Sequence, residues 1–287
     1  MRGLLAGLAA AAIWGAMFVV SKAVLPVVPP FTLLTLRLLL GSAALGAVYF
    51  WVRSRSPRPS RRGTRAWVGV GLAGLVGYGI SLGLQFLGTD LSTASNASLV
   101  TCATPVFVAL FAAPVLGQKI SPRSWGALAL ATAGVLAVVG WGSFSPANFW
   151  GNLLLVGAAL TWALYSILTA RAARGLDLTL ASLVGFWGGL PVSLTGAAWE
   201  LSTRGVGPID GPIVAGILFL GIVSTALAML LWNYAFRVLP ASTAGLTFFA
   251  QPVTGTLLGT LFLGESPGIL FYLGAVLIAG ALFLGRK

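Results

Sequence analysis

The feature that most constrains this sequence is a succession of long stretches with no charged residue. Runs free of Asp, Glu, Lys and Arg cover 3–21, 66–89, 91–118, 124–170, 178–199, 211–236, 238–264 and 266–285. A helix needs about 20 mostly apolar residues to cross a bilayer, and these runs supply that length repeatedly. The run 124–170 holds two helices, divided at the polar turn Gly142-Ser143-Phe144-Ser145-Pro146. The region 23–52 contains only Arg37 and reads as one more helix after Pro26-Val27-Val28-Pro29-Pro30. The expected spans are 3–25, 31–52, 66–87, 92–116, 122–142, 149–170, 178–199, 211–236, 240–263 and 267–285. A membrane β-barrel would alternate over segments of about ten residues, and these runs are continuous. The expected fold is an all-α polytopic membrane protein with ten transmembrane helices.

Composition excludes the other classes. Charged residues make up 8% of the chain, and its mean hydropathy is +0.98, whereas a soluble domain carries about 25% charged residues. A hydrophobic content of 58% excludes disorder. Cys102 is the sole cysteine, so no disulfide framework exists. Histidine is absent, which removes the usual general base and the commonest metal ligand. No metal or cofactor is expected. Arg2 ahead of an apolar run resembles a signal peptide, but the run is too long and no small-residue cleavage site precedes Lys22. It reads as a retained first span.

Positive charge sets the orientation, because Lys and Arg collect on the cytoplasmic side. With the N-terminus inside, 14 of the 17 basic residues fall on inside segments. They include Arg2, the cluster Arg53, Arg55, Arg58, Arg61, Arg62 and Arg65, and Arg286 and Lys287. The outside loops hold only Arg204, while Lys22 and Arg37 lie within spans. Both termini are therefore expected in the cytoplasm of a multi-pass inner (plasma) membrane protein. The net charge of +12 needs no nucleic-acid partner. The Arg-rich loop 53–65 reads as a topology signal, with contact to anionic lipid as the alternative.

The chain also repeats itself. Trp14-Gly15-Ala16 matches Trp162-Ala163-Leu164 at an offset of 148, and Gly74-Leu75-Val76 matches Gly221-Ile222-Val223 at 147. The offset of 147 also aligns Ala94-Ser95 with Ala241-Ser242, Pro105 with Pro252, and Gly117-Gln118 with Gly264-Glu265. One register held over five helices places the second copy upside down, because five is odd. The two units are 1–142 and 149–287. Inverted repeats of this kind belong to transporters that alternate access about a central site.

The run IWGAMFVVSK in the first span, the paired runs ASNASLVTCATPV and ASTAGLTFFAQPV, and LFLGES followed by LGAVLIAGALFL resemble the EamA-type drug/metabolite transporter superfamily. The resemblance covers essentially the whole chain. It implies two five-helix halves and export or exchange of small metabolites, with aromatic and neutral amino-acid exporters as the nearest member type. One departure stands out: the acidic position of the first repeat is Gln118 here, and only the second repeat keeps a carboxylate, Glu265.

Few residues offer chemistry within the spans. Pro105 and Pro252 are candidate hinges near the middle of the fourth and ninth spans, where each frees the carbonyl four residues earlier, at Thr101 and Phe248. The alternative is a kink satisfied by a local Ser or Thr. Arg37 lies two turns into the second span, where it either faces a cavity and a carboxylate substrate or snorkels outward. Lys22, one turn from the outer end of the first span, reads first as a snorkelling residue. The candidate substrate-binding residues are Tyr78, Ser81 and Gln85, which share one helical face, with Asn96, Thr101, Trp162, Tyr165, Trp187, Asn233, Thr247, Gln251 and Arg37. Trp14, Trp51, Trp67, Trp125, Trp141 and Trp150 read mostly as an interfacial aromatic belt. The glycines of the third and ninth spans read as close helix contacts.

The expected function is export of small metabolites, most of all amino acids, by a facilitative alternating-access carrier. Its partners are a small-molecule substrate and the bilayer, and the sequence leaves the oligomeric state open, a monomer being one option. A proton-coupled exporter of cationic drugs is the alternative within the class. A polytopic membrane enzyme is the alternative outside it, and it would need a His, a carboxylate pair or a Ser–Lys dyad at depth. Asp90, Asp177, Glu200, Asp210 and Glu265 all fall at expected helix ends or loops.

Overall fold

The computed structural model describes residues 1–55, 63–104, 107–108, 111, 122–140, 146–172, 176–239, 247–248 and 250–284. Pro105, Gln118, the turn 142–145 and most of the Arg-rich loop lie outside the described residues. The elements are α1 (Arg2–Val24), α2 (Pro30–Arg55), α3 (Thr64–Leu91), α4 (Ala94–Thr101) and α5 (Pro122–Gly140). They continue as α6 (Pro146–Ala172), α7 (Leu178–Thr203), α8 (Gly211–Val238), α9 (Ala250–Leu263) and α10 (Ile269–Leu284). No strand occurs among the described residues. Six of these helices, α1, α2, α3, α6, α7 and α8, are long and apolar enough to cross a membrane. Shorter apolar segments, Trp125–Gly134 and Ile269–Ala281, lie within α5 and α10.

Helix starts follow from short polar side chains. Asp177 accepts from the backbone N–H groups of Thr179 and Leu180 at 2.9 and 3.0 Å and so caps α7. Asp210 accepts from Ile213 N–H at 2.9 Å and caps α8, with Pro212 in its first turn. Thr93 accepts from Asn96 N–H at 3.1 Å and caps α4. The third helix runs to Leu91, four residues past the expected end. The charge of Asp90 fits there because it lies in the last turn, at the edge of the bundle. Gly205 and Gly264, both at φ 66°, follow α7 and α9. Only glycine takes that left-handed conformation at little cost.

Two helices depart from α geometry in their middles. Leu75–Ser81 within α3 and Phe219–Leu227 within α8 are π-helical. Leu75 and Ile222, aligned by the offset of 147, both fall in these wide turns. A π turn widens the backbone ring and frequently marks a functional site.

The packing is dominated by contacts between the first five helices and the last five. α1 packs on α8 and α9, α2 on α7 and α8, α3 on α6 and α7, α4 on α6 and α9, and α5 on α10. Exchanging each helix with its counterpart five places along converts this set of pairs into itself. The crossing of α3 and α7 is closest at glycine: a Cβ on Gly188 would meet the Gly71 carbonyl, and one on Gly74 would meet Gly185. Phe18, Leu33, Leu34, Leu38, Phe86, Leu155 and Phe186 form the core between the halves.

Candidate functional site

Where the two halves meet, the core opens into a cavity of about 60 Å³. Both π segments border it. Tyr78 and Ser81 come from the first, Ser224 and Thr225 from the second, and Gln85 follows one turn beyond Ser81. Trp14, Met17 and Phe18 of α1, Arg37 of α2, Trp162 of α6, Phe186 of α7 and Gln251 of α9 complete most of the wall. Thr101, Thr104 and Phe248 close it beside the helix breaks.

Several polar groups on this wall are held from behind. The Ser81 hydroxyl donates to the Ala158 carbonyl at 2.7 Å. The Thr225 hydroxyl donates to the Leu220 carbonyl at 2.8 Å and accepts from Arg37 Nε at 2.7 Å. In the same wide turn, the Ser224 carbonyl accepts from the Trp14 indole N–H at 3.0 Å. The Gln251 amide donates to the Ser98 carbonyl at 3.1 Å and to the Thr101 hydroxyl at 3.0 Å, tying α9 to α4. The rings form two stacks. Tyr78 meets Trp162, Tyr165 and Phe186 at 5.5, 5.2 and 4.7 Å, and Trp14 meets Trp232 and Phe248 at 5.1 and 5.8 Å. Edge-to-face contacts of this kind fix ring orientation.

A second, wider cavity of about 390 Å³ shares Trp14, Thr104, Trp162, Met229 and Phe248 with the first. It continues past Tyr165, Thr169, Ser182 and Asn233 at the ends of α6, α7 and α8. This is the face that carries the N-terminus, since Gly3 packs against Val238 and Leu239. The opposite face is sealed by polar contacts. Glu200 accepts from Phe31 and Thr32 N–H at 2.9 and 2.8 Å. Glu265 accepts from Ala94 and Ser95 N–H at 2.6 and 2.8 Å. Lys22 Nζ donates to the Asp90 carbonyl, and Ser92 donates to Asn152.

The structure therefore gathers Arg37, Tyr78, Ser81, Gln85, Thr101, Trp162 and Gln251 on the inner cavity. Tyr165 and Asn233 lie on the wider one. Tyr165 donates its hydroxyl to Tyr78 at 3.0 Å, and the Asn233 amide donates to Ser182 at 3.4 Å. Three expected residues are not brought to either wall. Trp187 is 53% exposed on the outside of α7, on the face turned away from α3. Asn96 hydrogen-bonds Ser92 and Asn152 near the sealed face. Thr247 is buried and packs against Gly7.

Of the two candidate hinges, Pro252 alone falls among the described residues. Pro252 lies in the first turn of Ala250–Leu263 rather than mid-helix, where a missing N–H costs little. The carbonyls expected to be freed are satisfied locally: Thr101's by the Thr104 hydroxyl at 2.7 Å, and Phe248's by Gln251 N–H at 3.0 Å. Trp14 belongs to the cavity rather than to an interfacial belt, because its position halfway along α1 sets it at the depth of the π turn. Ser224, Thr225 and Phe186 were not expected. For Ser224 and Thr225 the one sequence signal was the offset of 147 that pairs the two π segments.

Among the described residues, a helical bundle with an internal aromatic cavity, open toward one face and sealed at the other, has the form of a polytopic membrane protein of transporter type. The model of the EamA-like transporter family matches residues 1–140 and 149–285, and the chain belongs to that family. It is 26% identical over 277 residues to an uncharacterized transporter of Archaeoglobus fulgidus, covering 95% of this chain and 93% of that one. It is 27% identical over 262 residues to the aromatic amino acid exporter YddG of Ancylobacter novellus, covering 90% and 86%. It is also 27% identical over 293 residues to a probable amino-acid metabolite efflux pump of Salmonella typhimurium, covering 95% and 90%. A solved crystal structure of a protein shares the fold at a TM-score of 0.68 and 24% identity, covering 99% of this chain and 96% of that chain.

Proposed function

We propose that this chain exports small metabolites, above all amino acids including aromatic and neutral ones, as a facilitative alternating-access carrier. The observation that carries this reading is the cavity between the halves, which is continuous with a wider opening on the N-terminal face and sealed at the other. Its aromatic walls with a few fixed polar groups suit an apolar side chain on a polar head. In this reading, ten spans form two inverted five-helix halves, 1–142 and 149–287. The symmetric set of helix pairs and the matching π segments support that arrangement. The charge distribution supports cytoplasmic termini in the inner membrane, which makes the observed state inward-facing. The carrier works on the substrate's position and not on its bonds, so it is no enzyme.

The test is counterflow in proteoliposomes with a panel of amino acids, nucleosides and cationic dyes. Labelled amino acid is expected to exchange against internal unlabelled amino acid. Exchange of dyes or nucleosides alone would replace the substrate class, and the absence of any exchange would overturn the carrier reading. Alanine at Tyr78, Trp162 or Gln251 is expected to reduce exchange without reducing folded yield.

A further inference from the structure

We propose that Arg37 binds a carboxylate on the transported molecule and that an α-ammonium group is not required, so the substrates are organic carboxylates with an apolar or aromatic body. This deepens the transport reading of the same cavity and rests on it.

Arg37 is only 5% exposed, yet it lines the cavity. Nε donates to Thr225 at 2.7 Å, and the guanidinium lies 5.6 Å from the centre of the Phe86 ring. Nη1 is buried without a hydrogen-bond partner. A guanidinium offers five N–H donors in a fork that fits a carboxylate. A buried charge without an opposite charge is costly, and no acid of this chain supplies one. The chain has five acidic residues. Asp177 and Asp210 cap their own helices, and Glu200 and Glu265 cap α2 and α4. Asp90 lies beside Lys22 at the sealed face. None lines either cavity. The counter-charge for Arg37 therefore comes with the ligand. The same census says that nothing anionic awaits an ammonium group. The remaining wall, with Trp14, Tyr78, Trp162, Phe186 and Phe248, takes an uncharged body.

Three probes of one shape separate the groups: phenylalanine, 3-phenylpropionate, which lacks the ammonium, and phenethylamine, which lacks the carboxylate. Binding to the purified full-length protein is read by isothermal titration calorimetry. Phenylalanine and 3-phenylpropionate are expected to bind, and phenethylamine at least about tenfold more weakly, as loss of a charge-assisted bidentate contact requires. Arg37→Gln is expected to weaken both carboxylates by about tenfold or more while changing phenethylamine by less than threefold. Arg37→Lys, which keeps the charge and loses the fork, falls between. Phenethylamine binding as tightly as 3-phenylpropionate in the wild-type protein overturns the proposal without use of any variant. So does failure of both carboxylates to bind, or carboxylate binding that is indifferent to Arg37→Gln in a variant that melts normally. Carboxylate binding with no exchange in proteoliposomes would keep this site and overturn the transport reading instead. Exchange of amines alone would do the reverse.

Discussion

Glu265 and Ser95 are joined twice across the two halves of the chain: Oε2 of Glu265 accepts from the Ser95 N–H at 2.8 Å and from its hydroxyl at 2.5 Å. The left-handed Gly264 ends α9, and Glu265 N–H returns to the Gly259 carbonyl at 3.2 Å. That turn aims the carboxylate at the start of α4, where unpaired N–H groups attract an anion. Glu200, whose carbonyl accepts from the N–H of a second left-handed glycine, Gly205, at 3.2 Å, does the same for α2. Both carboxylates come from the second half of the chain and grip the first, on the sealed face only.

Removing this grip is expected to loosen that face. Glu265→Ala leaves the Ala94 and Ser95 N–H groups without their acceptor, at a cost of about 1.5–3 kcal/mol for bonds to a charged group. The variant is expected to melt at a lower temperature in detergent. A Ser98→Cys reporter in a Cys102→Ser background should label faster from the sealed side, because Ser98 packs beneath Gly255 just inside it. Labelling at the wild-type rate would mean that the seal lies elsewhere.

Trp14 and Trp187 are expected to behave oppositely. Trp14→Phe keeps a ring but leaves the Ser224 carbonyl without its donor inside the bundle. An unsatisfied buried group costs about 1–3 kcal/mol, so both melting temperature and exchange rate should fall. Trp187→Phe changes a ring on the outer surface and is expected to leave both unchanged. Equal losses at the two positions would contradict the assigned cavity.

Steric room separates two neighbouring glycines at the α3–α7 crossing. A Cβ on Gly188 would collide with the Gly71 backbone, whereas a Cβ on Gly71 meets nothing within 4 Å. Gly188→Ala is expected to lower folded yield, because backbone cannot move aside as a flexible side chain can. Gly71→Ala should be neutral or stabilising by up to about 1 kcal/mol through helix propensity. Fluorescence-detected size exclusion on the two variants reads the difference.

These cases also show which parts of the molecule were legible in the sequence. Apolar runs and their polar breaks marked most helix ends to within a few residues, because a charge inside a span is costly enough to leave a clear gap in the pattern. The inner ends of the expected spans 92–116 and 240–263 fall outside the described residues. The shared face of Tyr78, Ser81 and Gln85 was legible from spacing alone. The role of Glu265 was not, since its partners lie 170 and 171 residues away. The exposed position of Trp187 was not legible either, because an aromatic residue is equally at home facing lipid or facing a cavity. The π turns were invisible too: they depend on how α3 and α8 pack, and no residue type encodes them.

The positive charges carry the orientation. Single cysteines at Ser60 and Ser145, in the Cys102→Ser background, are expected to react from opposite sides of the membrane, Ser60 from the cytoplasm. An impermeant maleimide applied to intact cells should label Ser145 alone. Labelling of both positions from outside would break the ten-span arrangement, because an even number of crossings would then separate the two sites.

Energy coupling follows from the same census of acids. A proton-driven carrier needs a group in its pathway that changes charge near working pH. Histidine is absent from the chain, and none of the five acidic residues lines either cavity. Arg37 stays charged at any physiological pH. Tyr78 and Tyr165 share a hydroxyl pair, and a phenol ordinarily titrates near pH 10. Lys22 stands outside both cavities, bonded to the Asp90 carbonyl. A pH step across a proteoliposome membrane is therefore expected to leave the final substrate distribution at its equilibrium ratio, and exchange rates should vary little between about pH 6 and 8, since no cavity group titrates there. Glu265→Gln and Lys22→Gln are expected to alter rate or stability without altering that ratio. Accumulation above equilibrium, driven by the pH step and abolished by a protonophore, would show coupling and turn attention to Lys22 and Glu265 first.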